Sequence, residues 1–178
     1  MQKENALTQS KVSTKVLVFA ILLGVSVAVP YLKNQLVTGS IVNATLFLAV
    51  VTLGLREAIM IGLIPSLISI SVGLLPIVLA PMLPFIMLGN ATLVSIFDLF
   101  PKKYQKIGYI VSALAKFGVI YSTSFVVAHL IKQPQFAQKA SLMMGYMQLV
   151  TALIGAAIAL TFLNYKNLSA SLKNLSTR

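Results

Sequence analysis

Residues 16–32 read VLVFAILLGVSVAVPYL, seventeen positions without one charged side chain. A helix needs about 20 apolar residues to cross a bilayer, with a range of roughly 17–25. Backbone groups in hydrocarbon must bond within their own segment, so a run of this kind takes the form of a helix. Five more apolar runs follow, at about residues 41–55, 58–72, 84–100, 104–131 and 142–163. They are separated by Lys33-Asn34-Gln35, by a sharp turn at Arg56-Glu57, by a proline-bearing stretch and by Pro101-Lys102-Lys103. The stretch from Gly73 to Pro84 is apolar but carries Pro76, Pro81 and Pro84. Three prolines do not sit together inside one helix, so it is expected to be a loop folded against the bundle. The prediction is an all-α integral membrane protein: a six-transmembrane-helix bundle in one domain, residues 1–178, with polar tails at 1–13 and 166–178.

Composition agrees. The chain is 58% hydrophobic, only 10% charged, and has a mean hydropathy of +0.93. Six spans leave only short loops and tails, with no room for a separate soluble domain. There is no cysteine, which excludes disulfides, iron–sulfur clusters and thiolate metal sites. The net charge of +11 comes from 14 basic residues against three acids. A soluble protein so basic would point to nucleic acid. Here the bases sit at span ends, so they are assigned to topology and lipid headgroups, with no nucleic-acid partner.

Their placement sets the orientation. With the N-terminus inside, Lys3, Lys11, Lys15, Arg56, Lys102, Lys103, Lys106, Lys166, Lys173 and Arg178 fall on the inner side. Only Lys33, Lys132 and Lys139 fall outside, and Lys116 lies within a span. Both termini are therefore expected in the cytoplasm, as six spans require, and the protein in the cell membrane. The first run also has features of a cleaved signal peptide: a basic lead, and small residues at Ser26 and Ala28. It is long for a signal core, and its removal would leave the topology of the other spans intact.

Several chemistries are missing from the sequence. No GxxxxGK[ST] is present to cradle ATP phosphates. His129, the one histidine, is expected to be an ordinary interfacial side chain, and it cannot alone supply a zinc or paired haem site. The acids are Glu4 in the tail, Glu57 at a turn and Asp98 near a helix end. A proton-coupled carrier usually needs an acid deep in the membrane. No catalytic residue, metal site or cofactor is therefore expected, and any transport energy comes from another subunit.

The informative residue is Lys116, mid-span in Ser112-Ala113-Leu114-Ala115-Lys116-Phe117-Gly118. A lysine near the bilayer centre costs about 3 kcal/mol or more and is functional by default. Asp98 is a poor partner, because the two differ in depth by roughly 15 Å at 1.5 Å per residue. Lys116 is then either satisfied by carbonyls and water or presented to an acceptor on a ligand. Asn90 and Gln148 lie at a common depth toward the outer ends of their spans, with Lys116 somewhat deeper and able to reach outward. The three are candidate ligand-binding residues of a pocket opening outside, beneath the proline segment. Interhelical hydrogen bonding explains the two amides equally well.

Small residues recur at helical spacing. Ala20, Gly24 and Ala28 form a stripe on the first helix, Gly62, Ser66, Ser69 and Gly73 one on the third, and Ala152, Gly155, Ala156 and Ala159 one on the last. Such stripes let helices approach closely. Internal packing accounts for the latter two, whereas the first is free to dock another protein.

With these residues in place, the chain resembles a substrate-binding S component of an energy-coupling factor (ECF) vitamin transporter. The likeness covers nearly all 178 residues: six spans, both ends inside and an apolar outer segment that corresponds to a lid loop. The Ala20-Gly24-Ala28 stripe is similar to the family's AxxxA docking surface, with glycine in place of the central alanine. The resemblance implies a pocket formed by spans four to six and the outer loops, where Lys116, Asn90 and Gln148 fall. It implies that a vitamin or related micronutrient is captured outside, and that the subunit then topples in the membrane while a transmembrane coupling (T) subunit and two ATPases supply the energy. With no tryptophan in the chain, phenylalanine and tyrosine would have to supply any stacking. Lys116 favours a ligand with a carboxylate, a phosphate or a polarised carbonyl. Two rivals remain. One is a structural or assembly subunit of a membrane complex, in which the amides and Lys116 are satisfied within protein. The other is a lipid-acting enzyme, for which Asp98 and His129 lie at opposite ends.

Overall fold

The computed structural model describes the backbone of residues 2–130 and 134–176, and the side chains of 12–127, 129–130 and 134–165. The calculated inner and outer charges at Lys3, Lys11, Lys132, Lys166, Lys173 and Arg178, and the acid Glu4, lie outside the described side chains.

Among the described residues seven α-helices make the bundle: α1 (Gln2–Ala28), α2 (Gln35–Thr52), α3 (Leu55–Ser71), α4 (Leu83–Asp98), α5 (Gln105–Leu130), α6 (Pro134–Met144) and α7 (Tyr146–Ser176). No strand occurs among the described residues. Five segments are long and apolar enough to cross a membrane: Val12–Leu32, Gln35–Thr52, Ile77–Asp98, Lys102–Val127 and Pro134–Tyr165. This is compatible with a multi-pass membrane protein. The remaining expected span, α3, has 17 residues and an internal Pro65.

Local chemistry sets the boundaries. Pro30 ends α1 in a 3-10 turn, Lys33 takes a left-handed φ of 51°, and the Asn34 side chain caps α2 by accepting the Val37 N–H at 3.1 Å. The α2–α3 turn falls at Leu53-Gly54, where Gly54 has φ +110°, rather than at the expected Arg56-Glu57. Glu57 instead occupies the first turn of α3, where a carboxylate suits the helix dipole. The proline segment forms a 3-10 stretch, Ile77–Met82, before α4. Its buried Leu75, Leu79 and Met82 pack with Ile120, Val127, Ala140, Met143 and Met144, as a segment folded against the bundle should. The last apolar run, expected from about residue 142, is interrupted at Gly145, so α7 begins at Tyr146 and a further helix, α6, occupies the stretch before it.

Helix α2 is the centre of the bundle and packs on α1, α3, α4 and α7, while α5 packs on α4, α6 and α7. Close approach is decided by small residues. A Cβ on Gly155 of α7 would stand 2.7 Å from Asn43 Cβ and 2.8 Å from the Ala44 nitrogen and Ser40 oxygen of α2. A Cβ on Gly89 of α4 would collide with the Ile120 side chain of α5. These two contacts bring α2 onto α7 and α4 onto α5 in the half of the bundle where α2 and α4 begin. Ala152, Gly155, Ala156 and Ala159 are all buried, so the stripe of α7 serves internal packing, whereas of the third stripe Gly62 and Ser66 are buried, Ser69 is half-buried and Gly73 lies exposed beyond the end of α3.

The other half is filled by an aromatic trio, Phe47, Phe97 and Tyr109, with ring centroids 4.5–4.9 Å apart. Each such pair contributes about 0.5–1.5 kcal/mol beyond area burial. The trio belongs to a buried cluster with Leu46, Leu93, Ala113 and Ala152.

Candidate functional site

The site grows from three residues on three helices. Asn43 lies on α2 one turn from Phe47, Asn90 on α4 two turns from Phe97, and Lys116 on α5 two turns from Tyr109. The alternating chain direction places all three on the side of the aromatic trio where α2 and α4 begin. This is the side that charge placement expects to be outer.

There the Lys116 ammonium donates to Asn43 Oδ1 at 2.6 Å and to Asn90 Oδ1 at 2.7 Å. Lys116 and Asn90 are each 3% exposed and Asn43 is 1% exposed, so protein and not bulk solvent sets these bonds. The amides are fixed in turn. Asn43 Nδ2 donates to Thr151 Oγ1 at 3.3 Å, Thr151 Oγ1 donates to the Gln148 carbonyl at 3.2 Å, and Asn90 Nδ2 donates to the Gly62 carbonyl at 2.7 Å. With its NH₂ group committed, each amide turns its carbonyl toward Lys116. The network ties α2, α3, α4, α5 and α7 together around one cation.

Lys116, Asn90 and Gln148 line one cavity of about 60 Å³, which holds about five waters at roughly 10–15 Å³ each. The sequence-expected trio therefore shares a wall, but Gln148 does not bond Lys116. Its Nε2 donates to the Met143 carbonyl at 2.9 Å. The break at Gly145 interrupts the helical ladder there, and Gln148 satisfies a carbonyl beside the break.

The cavity is wider in origin than the resemblance implies. Helix α2 contributes Gln35, Thr38, Gly39 and Val42, and α3 contributes Pro65, Ser66 and Ser69. Of the proline segment's residues 73–84, only Leu75 reaches it. No aromatic side chain lines it, so phenylalanine and tyrosine do not supply the stacking surface expected of them. Phe47, Phe97 and Tyr109 are spent in the buried core, and Phe117, Tyr121 and Phe125 stack along α5 with Tyr121 and Phe125 exposed.

Asn43 is the residue that sequence reasoning missed. It sits eight residues into α2, much as Asn90 sits seven into α4, so the depth signal was there. The apolar run was taken to start at residue 41, which made Asn43 look like a boundary position.

The stripe on α1 has a different setting. Ala20, Gly24 and Ala28 are all exposed, and a Cβ on Gly24 would meet nothing within 4 Å. His129 is exposed, with Nδ1 2.7 Å from the Phe125 carbonyl of its own helix. Among the described residues no group of three His, Cys, Asp or Glu side chains is placed to hold a metal. Searches against family models, curated proteins and solved structures find no match to the chain.

Proposed function

We propose that this chain is the substrate-capture subunit of an ECF-type importer, binding a vitamin or related micronutrient from outside. It is a non-enzymatic subunit of the cell membrane that passes its ligand on with a T subunit and two ATPases. The observation that carries this reading is a cavity walled by a buried ammonium whose protein partners are neutral amide oxygens. An ammonium has three donors and two are used, which leaves one N–H for a ligand. Membrane bundles rarely keep an uncompensated cation without a use for it.

In this reading the chain crosses the membrane six times with both ends in the cytoplasm. Helix α3, with 17 residues or roughly 25 Å, is the sixth crossing and sits at the short end of the usual range. The exposed stripe Ala20, Gly24, Ala28 is the docking surface for the T subunit.

One observation favours the alternative of a structural or assembly subunit without ligand. Each side-chain NH₂ of Asn43, Asn90 and Gln148 already has a protein acceptor. The two readings separate at Gly24. Gly24→Leu places bulk on an open face and replaces a poor helix former, so thermal stability should hold or rise by up to about 1 kcal/mol. In affinity purification from native membranes, the wild type should bring down a membrane subunit and ATPases, and Gly24→Leu should lose them while keeping its small-molecule ligand. A wild type that purifies without ATPases counts against the importer reading.

A further inference from the structure

We infer that the cavity selects an aliphatic monocarboxylate carrying hydroxyl or amide groups, rather than a phosphate, a neutral carbonyl compound or a ring. The inference rests on the capture reading above and narrows it to a chemical class. Four observations set the class.

The first is charge. Among the described residues that line the cavity, Lys116 is the only ionisable one. A neutral ligand leaves that cation as uncompensated as the amides do, whereas one carboxylate cancels it. A phosphate monoester brings about −1.5 to −2 charges near neutral pH. With one cation present, the excess negative charge would stay buried and unpaired, which is strongly unfavourable. The second is shape. Lining groups are aliphatic or polar, with no aromatic face to stack a flat ring.

The third is the supply of free polar groups. The Ser66 hydroxyl and the Gln35 amide line the cavity and make no hydrogen bond within the described residues. Gln148 keeps its Oε1 without a protein donor. Together with the third N–H of Lys116 these form a polar track that hydroxyl or amide substituents match, and that a plain alkyl chain leaves unsatisfied. The fourth is size. A volume of 60 Å³ admits a compact group of about five water-sized units, so the carboxylate end is the part enclosed.

The test uses the purified full-length protein in detergent at constant ionic strength and reads ligand-induced shifts in melting temperature. The probes are glycerate, lactamide, malonate, inorganic phosphate and benzoate. Glycerate should stabilise the wild type, with an apparent affinity at least 10-fold better than any of the other four. Lys116→Met should abolish its shift. Asn43→Asp gives a second, independent check, because it supplies an internal carboxylate 2.6 Å from the ammonium in place of the amide oxygen. That variant should fold and should lose the response to glycerate, even if Lys116→Met fails to fold. A Lys116-dependent preference for benzoate, malonate, phosphate or lactamide overturns the class and leaves capture standing. No response to any probe, with some other small molecule retained on the purified protein, also overturns the class alone. No response with nothing retained overturns both.

Discussion

Lys116 sits where a cation is expensive, and two amide side chains make it tolerable. Charge-assisted hydrogen bonds contribute about 1.5–3 kcal/mol each, and the structure gives Lys116 two, to Asn43 and Asn90. Those bonds offset a placement cost of about 3 kcal/mol or more without closing the site, since the third donor is not used. Asn43 also holds Thr151. Asn43→Leu removes both bonds and sets an apolar group against the ammonium. We predict a loss of about 2–4 kcal/mol in thermal or denaturant unfolding of the purified protein, by the cost of orphaned buried polar groups. A loss below about 0.5 kcal/mol would show that the network contributes little. Lys116 and Asn90 were legible from sequence because an isolated polar residue stands out in an apolar run. Asn43 was hidden by its neighbours: Gln35, Thr38, Gly39 and Ser40 lower the local hydropathy because part of this face lines the cavity.

At the scale of elements, the same arithmetic explains which boundaries could be read. Runs that end in proline or a basic pair were found nearly where the helices stop, as for α4 at Asp98 and α5 at Gln105. The break at Gly145 was not found, because an isolated glycine in an apolar run leaves the hydropathy unchanged and the polar Pro134–Ser141 stretch resembles a loop. Small-residue stripes were legible as faces, but their partners were not, since spacing is blind to what lies opposite. The structure separates them. Gly155 faces the backbone of α2, and a Cβ on Gly24 would meet no atom of the described residues within 4 Å. Gly155→Ala should therefore cost about 1–3 kcal/mol by overpacking and loosen the α2–α7 contact that seats Asn43 beside Thr151. Gly24→Ala should be neutral or stabilising by up to about 1 kcal/mol. Paired melting curves check this, and equal shifts for the two would refute the assignment of faces.

For the whole molecule, the bundle divides into a half filled by Phe47, Phe97 and Tyr109 and a half opened by the cavity. A solute entering from the cavity side meets Lys116 and then a packed aromatic layer, which suits capture from one side and delivery only after rearrangement or assembly with other subunits. Six crossings with cytoplasmic ends predict that reporter fusions at Arg178 and within residues 133–138 lie on opposite sides of the membrane. Reporters on the same side would end the six-span reading and leave the helical bundle intact. The central claim is that the cavity around Lys116 holds a small molecule in the working protein. Native mass spectrometry of the gently purified wild type, beside Lys116→Met, tests it most directly. The account predicts a wild-type mass equal to the chain plus one small molecule that collisional activation releases as an anion, and a Lys116→Met protein without it. A wild type and a variant that carry the same adduct, or that both appear as the bare chain, would contradict it.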